Sequence, residues 1–397
     1  MNKPFFLLIG FLTAICLSNN RSTAQTPLQE FLWRAGEQSF YVQAGRAEAD
    51  VRIAETQRNN SPDDPEIEYE YMPGIENTSG NRMSYGISQS FSWPGEYMAR
   101  ARYNKLEREQ AETVFASEKQ EYLLQVKLFC YELVHALKRQ EILDWQQANA
   151  QQVLELTEKR LAQGEATALD LNNARLNATT VNSAWLEGKA QLDTWRKQLI
   201  LLTGIEDFDP DSFGYMESLD ENPEELLAQA KLSNMTTRVA LLESQKSAQN
   251  VSVARGSTLP SLRVGVAGER IGPEDSFLGV SAGISIPLWG GSGTVKSARA
   301  QKIATDLRTR TIEADIRSSL LEQANTVKQL RQSLEQYGSL KEVKEGIRLL
   351  NQSFELQNIS VLEYVTNLGF FYQVQKEYLE LELRIHQYLA ELTKFRL

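Results

Sequence analysis

Cysteine and histidine are nearly absent: there are two of each in 397 residues. Cys16 sits in an apolar N-terminal run, so once that run is removed Cys130 stands alone and an intrachain disulfide is excluded. His135 and His386 are far apart in sequence. Cys130 and His135, five positions apart, are badly placed for shared ligation on one helix. There is no HExxH, GxSxG, Walker loop or paired-cysteine zinc pattern, and neither a Met nor a His cluster. No enzyme activity, cofactor or metal site is expected. Positive charge is also short, since the formal net charge is −10, which speaks against nucleic acid as a partner. Beyond the N-terminus no run approaches the ~20 apolar residues of a membrane helix. Entry into a membrane would have to be by strands.

The first 24 residues read as a cleaved export signal. Lys3 precedes an apolar run from Phe5 to Leu17, and Ser22-Thr23-Ala24 supplies the small residues before a cut at Gln25. Removing Lys3 and Arg21 takes the formal charge to −12. A lipoprotein reading is disfavoured because Ile15, not a small residue, precedes Cys16.

Proline is missing from two long stretches, between Pro94 and Pro210 and from Pro287 to the C-terminus. Both are rich in helix formers. In the first, Gly164 can end one helix, and Thr167 with Asp170 forms a capping pattern that starts the next. The result is a helical hairpin whose first arm, about 65 residues at 1.5 Å each, is ~100 Å long. An arm of that length needs support from other helices. In the second stretch Gln357 stands where Gly164 stood, followed by Ser360 and Glu363 in the capping positions.

These turns lie 193 positions apart. Pro65-Glu66-Ile67 and Pro260-Ser261-Leu262 are separated by 195, and Gly86-Ile87-Ser88 and Gly283-Ile284-Ser285 by 197. A near-constant offset argues for internal duplication. The expected layout is a first repeat over 25–204, an irregular segment at 205–222, and a second repeat over 223–397.

Within each repeat a strand pair precedes the helical hairpin. Residues 25–60 read as helix, stopped by Asn60-Ser61-Pro62-Asp63-Asp64-Pro65. Acid and apolar residues then alternate from Glu66 to Tyr71, and a second alternating run covers about 82–92. The second repeat alternates over about 261–269 and 278–288, with one lipid-like face and one small, polar face. Trp93 and Trp289 close the two pairs where interfacial aromatics would sit. Two half-buried hairpins of a soluble sandwich would alternate in the same way, but no further strands are evident to build a second sheet. Four strands cannot close a barrel in lipid, so several chains would have to pool them.

Pro223, Glu224 and Glu225 start a helix expected to run past Asn234 to about Ala254. The last helix carries Phe371, Val374, Tyr378, Leu381, Ile385, Tyr388 and Leu392 at alternating spacings of three and four, a coiled-coil seam.

Export signal, duplicated strand pairs and long helical hairpins together resemble the TolC family of outer-membrane efflux proteins over nearly all of the mature chain. Phe91-Ser92-Trp93-Pro94-Gly95 is similar to a stretch of that family's heavy-metal efflux branch, with Ser92 replacing a proline. Ile286-Pro287-Leu288-Trp289 ends the other strand pair. The resemblance implies a mostly α fold with a β-barrel contribution, in which a homotrimer pools its strands into a twelve-stranded barrel in outer-membrane lipid above a periplasmic helical barrel. It further implies a passive exit duct of a tripartite efflux or type I secretion system. The partners implied are a periplasmic adaptor (membrane fusion protein) and an inner-membrane pump of the resistance-nodulation-division type.

Gly164, Thr167, Asp170, Gln357 and Ser360 would form the helix-tip turns and dock the adaptor. Glu363 would ring the constriction, with Thr366 where the family carries a second acid. Phe354 and Ile359 replace the family's Tyr and Arg tip latch. Glu363 serves equally well as a capping-box acid alone. The competing functions are a periplasmic adaptor, which would carry one helical hairpin between lipoyl-like halves, and a coiled-coil scaffold of an export assembly.

Overall fold

The computed structural model describes residues 27–75, 80–272, 275–288, 291–337 and 340–397. The expected export signal and Trp289 lie outside the described residues.

The helix expected over 25–60 forms as two pieces, α1 (Pro27–Gln38) and α2 (Phe40–Arg58). Ser39 parts them with an extended backbone, and its hydroxyl accepts from the Tyr41 amide as an N-cap. Strands β1 (Glu66–Met72) and β2 (Arg82–Phe91) follow. Pro94 then opens α3 (Pro94–Ala162), an unbroken helix of 69 residues, ~100 Å long at 1.5 Å per residue.

The returning helix, α4 (Ala168–Thr203), packs along α3 and ends at Gly204, whose φ of 72° is left-handed. The two helices approach closely at Gly188, where a Cβ would come within 2.6 Å of Gln140 and Leu143.

A short 3-10 turn (Pro210–Ser212) lies in the irregular segment, and α5 (Pro223–Ser233) begins at Pro223 as expected. The helix does not continue past Asn234. There the backbone is extended (φ −70°, ψ 113°), and the side chain accepts from the Thr237 amide at 2.9 Å, so Asn234 caps a separate helix, α6 (Met235–Gly256). Strands β3 (Ser261–Ile271) and β4 (Asp275–Ser285) come next. The strand expected as far as Leu288 stops at Ser285 because its partner begins at Ser261. Helices α7 (Gly291–Gln336), α8 (Leu340–Glu355) and α9 (Val361–Leu392) complete the chain, with a final 3-10 turn at Lys394–Arg396.

The four strands form one antiparallel sheet in the order β1-β2-β3-β4. Its register sorts the side chains cleanly. Ile67, Ile87, Val266 and Val280 form one cross-strand row, and Phe91, Leu262 and Ile284 another on the same face. The opposite face carries Glu66, Ser88, Gly265 and Ser281 in one row and Glu68, Gly86, Ala267 and Gly279 in the next. No described residue covers the apolar face: the first row is 80, 50, 45 and 90% exposed along its length.

Packing is concentrated in the helices. Leu28, Phe31 and Leu32 of α1 bury against Leu124, Tyr131 and Leu199 at mid-length of the molecule. A second cluster joins Leu226, Val327, Ile385 and Leu389, and a third, near the helical turns, joins Val153, Ile347, Phe354, Tyr364 and Leu368. The seam read on the last helix is only partly the buried one. Phe371, Val374, Tyr378, Leu381 and Tyr388 are half-buried, whereas Tyr364, Leu368, Gln375, Leu379, His386 and Ala390 are buried beside Ile385 and Leu392. The reason is that α9 touches α3, α4, α7 and α8 at once, so its buried surface is wider than a two-helix stripe. Among the described residues no helix is long and apolar enough to cross a membrane.

Candidate functional site at the helical turns

Both helical hairpins turn by the same backbone device. After α3, the Glu165 amide donates to the Arg160 carbonyl at 2.8 Å and the Gly164 amide to the Leu161 carbonyl at 3.1 Å. After α8, the Asn358 amide donates to the Ser353 carbonyl at 2.9 Å and the Gln357 amide to the Phe354 carbonyl at 3.1 Å. These are paired Schellman bonds, which need one left-handed residue. Gly164 supplies it in the first turn, with φ 77°, and Gln357 in the second, with φ 60°. Gln357 is the only non-glycine residue with positive φ among the described residues.

The next helix starts identically in both. Thr167 Oγ1 accepts from the Asp170 amide at 3.1 Å, and Asp170 Oδ2 accepts from the Thr167 amide at 2.9 Å. Ser360 and Glu363 form the same reciprocal box at 3.2 and 2.9 Å. The hydrogen bonds from Thr167, its hydroxyl first and then its amide, hold the Asp170 carboxyl below the ordinary carboxylate range. The Ser360 amide and then its hydroxyl do the same for Glu363. Both acids are therefore ionised and exposed at the neutral-pH tip. The Thr366 hydroxyl donates to the Leu362 carbonyl at 2.8 Å and is likewise exposed, one turn above Glu363.

The two turns touch. Gln357 Nε2 donates to Glu165 Oε2 at 3.1 Å. Arg160, almost fully buried, donates to the carbonyls of Phe354 and Glu355 at 3.1 and 3.2 Å and lies 4.9 Å from the Phe354 ring centre. It thereby bonds the last two carbonyls of α8, of which that of Phe354 also accepts from the Gln357 amide, from a helix of the other hairpin. Phe354 in turn stacks on Tyr364 at 4.5 Å, and the Tyr364 hydroxyl accepts from Asn149 and donates to Asn351. So Gly164, Thr167, Asp170, Gln357, Ser360, Glu363 and Thr366 gather at one end of the molecule. Trp93, before the first residue of α3, lies a whole helix length away.

Arg160, Asn149 and Asn351 are not singled out by any local pattern, because their partners are up to 215 positions distant. The same holds for a buried group at mid-length. Glu217 accepts from Lys127, the Tyr131 hydroxyl and the Thr393 hydroxyl, the last at 2.8 Å. Burial raises its pKa, but Lys127 and the two hydroxyls outweigh that and leave it lowered. Cys130 is fully buried and burial pushes its thiol up, the opposite of a reactive cysteine. No group of three or more metal-ligating side chains occurs among the described residues.

Residues 33–205 match the family model for outer membrane efflux protein. No curated protein sequence matches the chain significantly. The fold is shared with solved outer-membrane channels at low identity. The outer membrane protein VceC of Vibrio cholerae is 15% identical, with 93% of this chain and 95% of that one covered and a TM-score of 0.76. CusC, whose structures concern transmembrane channel formation, is 15% identical over 94 and 92%, with a TM-score of 0.75. The Campylobacter jejuni CmeC outer membrane channel is 15% identical over 100 and 92%, with a TM-score of 0.70. The likeness to the outer-membrane efflux family thus stands on a family match over the first hairpin and its lead-in helices, and on a fold common to nearly the whole chain.

Proposed function

We propose that this chain is a TolC-type exit duct, a passive channel carrying small molecules or ions across the outer membrane and periplasm for a tripartite efflux or type I secretion system. One observation carries the reading: among the described residues, a four-stranded sheet with an uncovered apolar face and two unpaired edges, joined to long helices of which α3 reaches ~100 Å. In water such a face and such edges are liabilities; in lipid the face is favoured and the edges must be closed. A homotrimer closes them by pairing β4 of one copy with β1 of the next into twelve strands. The Glu68 face then lines the lumen, and the helices continue the duct into the periplasm.

The same reading assigns the remaining roles. The export signal is cleaved after Ala24, and Trp93 stands at the membrane interface, the role the sequence also expects of Trp289. The duplicated halves give the duct its pseudo-repeat. The helical turns dock a periplasmic adaptor working with an inner-membrane pump, of the resistance-nodulation-division type, and Glu363 rings the entrance with Thr366 above it. An adaptor is disfavoured because this chain has two helical hairpins, and the strands among the described residues form one four-stranded sheet rather than lipoyl-like halves.

The test is the mass of the mature protein in mild detergent, together with its partition between soluble and outer-membrane fractions. A membrane-bound trimer is expected. A stable folded monomer in the soluble fraction would sink the proposal.

A further inference from the structure

Between α3 and α8, within one chain, lies a groove of about 420 Å³. That volume falls in the range of small-molecule sites. Its body is apolar: Ile142 and Ile347 flank it, and the indole of Trp145, 42% exposed, stands at its edge. Asn351, also in the lining, donates to Asn149 at 3.4 Å.

The charges on its two walls are opposed and unmatched. Glu141, one turn before Trp145 on α3, has no partner among the described residues, and neither has Lys344 on α8. They face the same groove without forming an ion pair. The neighbouring Arg348 is already neutralised by Glu345 through bonds of 2.6 and 2.9 Å. The floor adds a directed donor. Gln375 of α9, 3% exposed, lines the groove, and its Oε1 accepts from Gln146 at 3.3 Å, which leaves the amide nitrogen as its donor.

The geometry points to a binding site for an aromatic zwitterion. The ring system packs on Trp145, Ile142 and Ile347. Its cationic end lies toward the Glu141 carboxylate and the indole face, where a cation is attracted by the ring quadrupole. Its anionic end meets the Lys344 ammonium and the Gln375 amide, which are donors of the right kind for a carboxylate. A ligand with only one charge leaves one wall unmatched. The site does not rest on the duct reading, since every group belongs to one chain.

Matched xanthene dyes test it with the full-length assembled protein in mild detergent. Rhodamine 110 carries both a cationic xanthene and a carboxylate, rhodamine 123 is its cationic methyl ester, and fluorescein is the anionic counterpart. Fluorescence anisotropy, corrected with the Trp145→Ala protein for dye taken up by micelles, should show saturable binding of rhodamine 110. Each dye carrying charge of one sign only should bind about threefold or more weakly, and Glu141→Gln and Lys344→Gln should each cost rhodamine 110 a similar factor. Both are exposed positions, so folding should survive even if Trp145→Ala proves unstable. Equal affinity for the three dyes, no response to either charge variant, or no saturable binding by the assembled protein overturns the proposal.

Discussion

The Gln357 amide group reaches across 3.1 Å to the Glu165 carboxylate, joining the turn of the second helical hairpin to that of the first. The residue that makes this link is also the one held at φ 60°, where a side chain costs roughly 1–2 kcal/mol. Gln357→Gly relieves that strain and loses the link, so its net effect on thermal stability should lie within about 1 kcal/mol of zero. A β-branched replacement loses the link and worsens the strain. Gln357→Val should lower stability by about 2–3 kcal/mol relative to the Gly variant and open the tip to limited proteolysis. Equal behaviour of the two variants would mean that the left-handed turn is not held in solution.

The sheet predicts an asymmetry between neighbours. Ile284 belongs to the row of Phe91 and Leu262, whereas Ser285 pairs with Ser261 on the polar face. If the apolar face meets lipid, Ile284→Arg should cost roughly 2–4 kcal/mol of barrel stability and Ser285→Arg little. Detergent-resistant trimer on gels with and without heating reads the difference. Equal damage at both positions points to a sheet buried on both sides.

Glu363 is bound into its capping box and ionised, so the helical tip keeps its charge at neutral pH; if that tip is the entrance of a channel, the charge acts on passing ions. Glu363→Gln retains an oxygen for the Ser360 bonds and removes the charge. Single-channel recordings in planar bilayers should then show weaker cation selectivity and less block by multivalent cations from the periplasmic side. Unchanged selectivity would leave Glu363 as a cap and move the filter elsewhere.

Acid should weaken the mid-length core in a definite window. His386 packs flat on Tyr215 at 3.9 Å, and burial first, with Lys138, Arg331 and Lys127 adding to it and Glu217 opposing, pushes its pKa down to about 4. The unfolded value is about 6.5, so between these limits the unfolded chain binds the extra proton. Stability is therefore complete above about pH 6.5 and is lost as pH falls toward 4, by roughly 3 kcal/mol per chain. Burial lowers His135 in the same direction, and Glu217, also lowered, adds a further loss below the ordinary carboxylate range. Denaturant midpoints measured from pH 7.5 to 4 should fall less steeply for His386→Phe, which keeps the stacking and removes the titration. Identical slopes for both proteins would assign the acid response to other groups.

Local chemistry made much of this legible in the sequence. The Thr167–Asp170 and Ser360–Glu363 boxes, the left-handed Gly164 and the alternation of the strands each depend on residues within a few positions. The breaks at Ser39 and Asn234 were hidden because helix-like composition continues on both sides of each cap. Arg160 over Phe354, Lys127 on Glu217, and the pairing of β2 with β3 join residues too distant for any pattern of spacing to link.

That last pairing also sets a timetable. Phe91 meets Leu262 and Arg82 meets Ile271, partners separated by 171 and 189 positions. As the chain emerges N-terminus first, β1 and β2 can zip into a hairpin early, but β2 must wait for most of the remaining polypeptide before its second edge is matched. Throughout that interval a greasy two-stranded ribbon is at large with a free edge, a template for wrong partners. Holding that ribbon apart from other chains until the second half arrives is a task for a chaperone, and the rate of closing β2 on β3 is the step at which such help would be felt.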